Sequence, residues 1–246
     1  MKLVEFGTQN RDVVLLLHGG GLSWWNYRGV AALLEDRYRV VLPILDGHAD
    51  SDVPFASIEE NAESLIRYIN EQFGGKVFAI GGLSLGGQIA TEMLSQKSDL
   101  CRYALLESVL VKPMKMTAAL IEPSMKISDW LIKQKWFAKL QFAYLRIEKS
   151  LFDDYYRDTC AISRADMTAF LKANSTYAIK PPLSQTGANV KIVAGAKEQR
   201  NILDSADLLR KTIPESTMEI LTGLYHGELS INNPERYVQM LESLWK

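Results

Sequence analysis

The sequence predicts a doubly wound, mostly parallel α/β sheet carrying an inserted all-helical cap, and three observations predict it. Short apolar runs recur along the 246 residues, each ending in glycine or small polar residues. Helical patterns lie between most of these runs. One long stretch carries helical spacing with no strand signal. Runs apolar on both faces suit parallel strands covered by helices on each side, and their alternation with helices gathers them into one sheet.

In chain order, the residues before Val13 leave room for one antiparallel edge strand. The apolar runs follow at 13–17, 39–45, 76–83, 103–106, 191–194 and 216–221. Ser57-Ile58-Glu59-Glu60 has the spacing of a capping box, and Ala62, Leu65, Ile66 and Ile69 then fall at helical intervals. Further helices are expected at 85–95, 204–212 and 234–245. From 112 to 182 the chain reads as helix after helix until Pro181-Pro182 closes it. Such a block between two strands is read as a cap over the carboxyl edge of the sheet, where parallel sheets bind ligands. The expected division is therefore a core of 1–111 and 183–246 and a cap of 112–182. The aromatic and aliphatic residues Trp130, Trp136, Phe137, Leu140 and Tyr144 are expected to face the active site, because an exposed stripe of that size is uncommon on soluble monomers. Residues 112–149 also hold eight basic side chains against three acids. The plain reading is a solvated helix face; attraction of an anionic substrate, or contact with a partner surface, is the sharper one.

Composition narrows the function classes. At 47% hydrophobic residues the chain can bury one sizeable core. A net charge of −1 gives no global pull toward nucleic acid or an anionic membrane. Cys101 and Cys160 lie in no Cys-x-x-Cys or His-adjacent pattern and are expected to be free thiols in a reducing compartment. Glu5 stands where a secretory signal would have its apolar core, and no apolar run approaches the roughly 20 residues that span a bilayer. A cytoplasmic monomer or homodimer is expected.

The chemistry concentrates on Val77 to Ala90, an apolar strand that runs into Gly82-Leu83-Ser84-Leu85-Gly86 and then into a helix. A sharp strand-to-helix turn exposes Ser84 as a candidate nucleophile. It also leaves the Leu85 amide at a helix N-terminus, where a developing negative charge is favoured. The rival glycine-rich turns need Gly-Lys-Ser/Thr or Gly-x-Gly-x-x-Gly, and neither is present. Of three histidines, His226 is flanked by Gly223 and Gly227 after the last apolar run, on the same sheet edge as Ser84. It is the expected base. His18 is expected to anchor Gly19-Gly20-Gly21, whose Gly20 amide with that of Leu85 would form an oxyanion hole; His48 is read as ordering its own loop. No metal-binding pattern occurs, so metal catalysis is not expected. The acid is Glu198 at the end of the 191–194 run, with Glu107 and Asp204 as competitors. Trp24 and Trp25, just past the glycine loop, are read as pocket lining or as ordinary core.

These motifs together resemble the α/β-hydrolase family, over essentially the whole chain. Leu17-His18-Gly19-Gly20-Gly21 looks like its oxyanion loop and Gly82 to Gly87 like its nucleophile elbow. Asp46-Gly47-His48-Ala49-Asp50-Ser51 is similar to its Pro-Gly-His-Gly-x-Ser loop, Gly195-Ala196-Lys197-Glu198 to its Gly-x-x-Asp acid turn, and Tyr225-His226-Gly227 to its histidine loop. Glutamate at 198 in place of the commoner aspartate adds a methylene. The resemblance to the small capped members implies a serine hydrolase of esterase type. The expected activity is cleavage of a small to medium carboxylic ester or thioester by Ser84, His226 and Glu198, without a cofactor. Trp24, Trp25, Trp136, Phe137 and Tyr144 are the expected substrate-binding residues. Carbon–carbon bond hydrolysis, a lyase reaction of menaquinone biosynthesis, and a low-turnover receptor or signalling module that keeps the triad are the alternatives. Gln88 stands where the lyase would be expected to carry arginine.

Overall fold

Seven strands form a single sheet in the order β1-β3-β2-β4-β5-β6-β7, in a computed structural model that describes residues 2–245. They are β1 (Leu3–Phe6), β2 (Val13–Leu17), β3 (Arg39–Pro43), β4 (Val77–Leu83), β5 (Cys101–Glu107), β6 (Asn189–Gly195) and β7 (Thr217–Leu221). Only β1 runs antiparallel, against β3, as the short N-terminal stretch led one to expect. The helices are α1 (Arg28–Leu34), α2 (Ile58–Phe73), α3 (Leu85–Gln96), α4 (Lys115–Ile132), α5 (Lys135–Tyr144), α6 (Phe152–Ala161), α7 (Arg164–Thr176), α8 (Arg200–Thr212), α9 (Glu228–Asn232) and α10 (Pro234–Leu244). None is long and apolar enough, among the described residues, to cross a membrane.

The two-residue period of the strands divides the core. Leu15 and Leu17 of β2 pack with α2 and α3, whereas Val14 and Leu16 pack with α1 and α10. Both sets are buried, which is why the run reads as continuously apolar. The capping box before α2 forms as read: Ser57 Oγ accepts the Glu60 N–H at 3.0 Å. Gly74, at φ 64°, ends that helix in the left-handed conformation that glycine adopts without a steric penalty.

Strand order locates the site. The chain leaves β2 for β3 on one side, returns to β4 on the other side of β2, and continues outward to β5. Loops at the carboxyl ends of β2 and β4 therefore diverge and leave a crevice between them. Those ends are in register, Leu17 opposite Gly82.

Between β5 and β6 lie only helices, α4 to α7, and the 3-10 turns Lys149–Leu151 and Pro181–Gln185. Their buried face differs from the expected stripe. Trp130, Trp136, Leu140 and Tyr144 are 65%, 59%, 61% and 80% exposed, whereas Ala138 and Phe142 are the residues of α5 that enter the core. Phe142 decides the rotation of that helix: its ring meets Phe152 at 5.3 Å and Tyr155 at 5.2 Å. Aromatic pairing of this kind adds to area burial and turns Trp136 and Leu140 outward. Asp204 is also placed differently, inside α8 rather than at its start. It pairs on the surface with Arg200 and Lys112, away from His226.

Candidate active site

Ser84 joins β4 to α3 at φ 52° and ψ −112°. A non-glycine residue with positive φ is strained, and such strain persists only where the surroundings over-determine it. Here they do. A Cβ on Gly82 would lie 2.5 Å from the Gly86 carbonyl oxygen, and one on Gly86 would lie 2.1 Å from that of Leu17. Both glycines are needed because three backbones converge around the serine. The Ser84 N–H donates to the Glu107 carbonyl at 2.9 Å, tying the turn to β5.

The glycine loop after β2 is held from behind by two neutral histidines. His18 is fully buried; its Nδ1 donates to the Gly19 carbonyl at 2.9 Å and its Nε2 accepts the Leu45 N–H at 3.2 Å. His48 Nδ1 donates to the Asp46 carbonyl and its Nε2 accepts the Gly21 N–H, both at 3.1 Å. Burial holds His18 well below its ordinary pKa, the neighbouring His48 adding to the effect. Burial also lowers His48 to about 4, so both rings stay uncharged acceptors at neutral pH. Asn26 Oδ1 adds a third anchor by accepting the Gly19 N–H at 3.1 Å. Gly20 thereby rests against Leu85: a Cβ added to it would contact the Leu85 side chain at 3.5 Å.

His226 meets Glu198, not Glu107. Its Nδ1 donates to Glu198 Oε2 at 2.7 Å, while Glu198 Oε1 accepts from Ser108 Oγ at 2.6 Å and from the Gly195 N–H at 2.9 Å. Two backbone bonds set this distance: the Ala196 N–H donates to Leu221 and the Lys197 N–H to Leu224, joining the loops that leave β6 and β7. The Glu198 side chain is wholly buried and that of His226 is 43% exposed. Burial pushes the Glu198 carboxyl up, but the bonds from His226, Ser108 and Gly195 outweigh it and the net shift is downward. Burial likewise lowers His226, and the Glu198 hydrogen bond and charge more than reverse that, so its pKa is raised. Ser84 and His226 line one cavity of about 530 Å³. They are brought together by that shared lining, and the hydrogen bond within the set is the one between His226 and Glu198.

Glu107 takes the opposite side of β5. It has the parity of Tyr103 and Leu105, which pack toward α1 and α10, and its Oε1 accepts the Ser230 N–H at 3.2 Å while Oε2 has no partner. Burial raises its pKa from 4.5 to about 7. The folded protein therefore keeps a proton that the unfolded chain releases above pH 4.5, and this contribution to stability is lost as pH rises through about 7. Urea denaturation of wild type and Glu107→Gln should show it. Relative to the variant, the wild type should lose about 2.5 kcal/mol between pH 5 and pH 8, following from ~1.4 kcal/mol per pKa unit. A constant difference across that range would show that Glu107 is ionised in the fold.

Of the expected pocket residues, only Tyr144 lines the cavity. Trp25 is 1% exposed and its indole N–H donates to Asp158 Oδ2 at 2.7 Å, so it is a core residue tying the 3-10 turn Trp24–Tyr27 to α6. Trp24 packs on the same face, 6.4 Å from Phe6, under the Arg28 guanidinium at 4.8 Å. Trp136 and Phe137 stack edge to face at 5.7 Å on the outer side of α5. The cavity wall is instead built from Met114, Thr117, Ala143, Asn174 and Tyr225. Sequence reasoning did not reach Ser108, which shares the acid with His226. Nor did it reach Asn26, seven residues beyond the glycine it holds. No local pattern marks either, because both act through contacts between separate loops.

Comparison with known proteins bears on the family and the fold. A model described as the alpha/beta hydrolase family matches residues 14–240. An AB hydrolase superfamily protein of Gibberella zeae is 33% identical over 99 residues, which are 39% of this chain and 35% of that one. Among solved structures, a thermophilic esterase from Thermogutta terrifontis aligns with a TM-score of 0.78 at 20% identity, over 98% of this chain and 91% of its own. MenH from S. aureus aligns with a TM-score of 0.81 at 16% identity, over 99% and 96%. At these identities the structures speak for the fold, while the family match spans nearly the whole chain with its elbow, glycine loop and histidine loop: the chain belongs to the alpha/beta hydrolase family.

Proposed function

We propose that this chain is a serine hydrolase that cleaves a carboxylic ester or thioester through an acyl-enzyme. The observation that carries the reading is the His226–Glu198 pair opening onto the same cavity as the strained Ser84. Ser84 Oγ attacks the carbonyl while His226 takes its proton and Glu198 stabilises the imidazolium. The amides of Gly20 and Leu85 receive the oxyanion, the second from a helix N-terminus whose dipole favours it. His226 then gives the proton to the leaving group, activates a water, and the acyl-enzyme is hydrolysed. No cofactor takes part in these steps. Gln88 favours this reading over the lyase one: its amide donates to the carbonyls of Leu110 and Asn174 at 2.6 and 2.9 Å, holding α3 to α7 instead of addressing substrate.

A panel of p-nitrophenyl esters of increasing acyl length tests the proposal. The wild type should turn over at least part of the series, and no turnover of any member would sink it. Trp136→Ala and Phe137→Ala should leave the length preference as it is, since both residues lie outside the cavity. Tyr144→Ala, at its wall, should shift the preference by about fivefold, the low end of what one pocket contact contributes. An altered profile for Trp136→Ala would return that residue to the pocket.

A further inference from the structure

The cavity that holds Ser84 and His226 also carries two charges that no side chain neutralises. Arg146 and Lys197 both line it, and among the described residues neither has a carboxylate within the 4.0 Å of an ion pair. Glu198 is the one acid on that lining, and its two oxygens are already engaged by His226, Ser108 and the Gly195 amide. The remaining polar groups on the wall, such as Asn174, Asn201 and Thr117, are neutral.

The two cations share one aromatic neighbour, Tyr225, which also lines the cavity. The Arg146 guanidinium lies 3.8 Å from the centre of the Tyr225 ring and the Lys197 ammonium 5.0 Å from the same centre. An aromatic ring attracts a cation only modestly and leaves its charge in place. An anion in the cavity that both of them line would be attracted by each.

Their backbones are pinned as well. Arg146 follows α5 at φ 56°, a helix-ending position that favours glycine. Asn232 holds it there: Nδ2 donates to the Arg146 carbonyl at 2.6 Å, and Oδ1 accepts the Glu148 N–H at 3.1 Å. Lys197 is fixed by its N–H bond to Leu224 at 3.0 Å. Tyr225, the ring that both cations approach, immediately precedes His226. Of the eight basic residues at 112–149, Arg146 alone reaches the cavity. Several of the others are paired on the surface, Lys112 with Asp204, Lys126 with Glu122 and Lys133 with Asp129.

We propose that Arg146 and Lys197 form an anion subsite, and that the substrates are esters or thioesters bearing a carboxylate or phosphate group away from the bond that is cleaved. The inference rests on the ester-hydrolase reading for the reacting group, but binding of the anion does not depend on turnover. The Ser84→Ala protein is therefore titrated calorimetrically with monomethyl glutarate, methyl 4-phosphonobutanoate and the neutral dimethyl glutarate. At least one anionic ligand should bind about tenfold more tightly than the neutral diester, as a charge-assisted contact predicts, and the tighter of the two identifies the group. Adding Arg146→Gln and Lys197→Gln together should remove that advantage, with unchanged thermal unfolding as the control for folding. Raising salt from about 50 to about 500 mM should narrow it. Equal affinity for charged and neutral ligands, no binding of either anion, or an advantage that survives the double substitution would each overturn the subsite. None of these results bears on ester turnover by the wild type, so the two readings fail separately.

Discussion

Ester turnover by the Ser84→Ala protein is expected to fall by roughly four to six orders of magnitude, leaving the residual rate that binding and oxyanion contacts provide. Ser84 is the residue at which the convergence of β2, β4 and α3 enforces a strained conformation on the wall of the cavity. Alanine keeps that backbone and removes only the oxygen. A fluorophosphonate probe supplies the matching measurement: it should label the wild type at Ser84 and leave the variant unlabelled. Undiminished labelling of Ser84→Ala would end the serine-hydrolase proposal, since the reactive oxygen would then lie elsewhere.

Glu198→Gln should cost about four orders of magnitude in turnover, against little change for Glu107→Gln. The carboxylate accepts three hydrogen bonds, from His226, Ser108 and the Gly195 N–H. An amide has one oxygen to offer these three donors and must turn its NH₂ toward at least one of them, so His226 loses its orientation or its partner. The pH profile separates this from a structural defect. His226 acts as a base only when neutral, and its pKa stands above the ordinary 6.5 because Glu198 favours the charged ring. Wild-type activity should therefore rise with pH through a midpoint above that value, and the midpoint for Glu198→Gln should move down. An unmoved midpoint, or equal damage from Glu107→Gln, would transfer the role to another acid.

The elements of the site differ in how far they can be read without the structure. The elbow is legible because its steric demand is written in consecutive residues: Gly82, Ser84 and Gly86 are each required by atoms within a few ångströms. His226 is legible for a related reason, a histidine on a loop bounded by Gly223 and Gly227 after the last strand. The acid is open in the sequence between Glu198 and Glu107 because both lie at the carboxyl edge of adjacent strands, Glu107 ending β5 and Glu198 just past β6. Glu107 shares the parity of Tyr103 and Leu105, which turns it beneath the sheet, whereas Glu198 lies beyond its strand on a loop bonded to the one that carries His226.

The helical insertion marks the limit. Its residues announce helices, but two faces of α5 have apolar spacing, 136/140/144 and 138/142, and the period alone does not say which is inside. Phe142, Phe152 and Tyr155 settle it through contacts between separate helices. The sequence by itself determined the doubly wound sheet, the glycine-flanked turn at Ser84 and the loop that carries His226, since each follows from the sterics and periodicity of neighbouring residues. Only the tertiary structure decided the partner of His226, the outward turn of Trp136 and the approach of both Arg146 and Lys197 to Tyr225. Those depend on how whole elements rotate and dock, and that is set by long-range packing no short stretch of chain encodes.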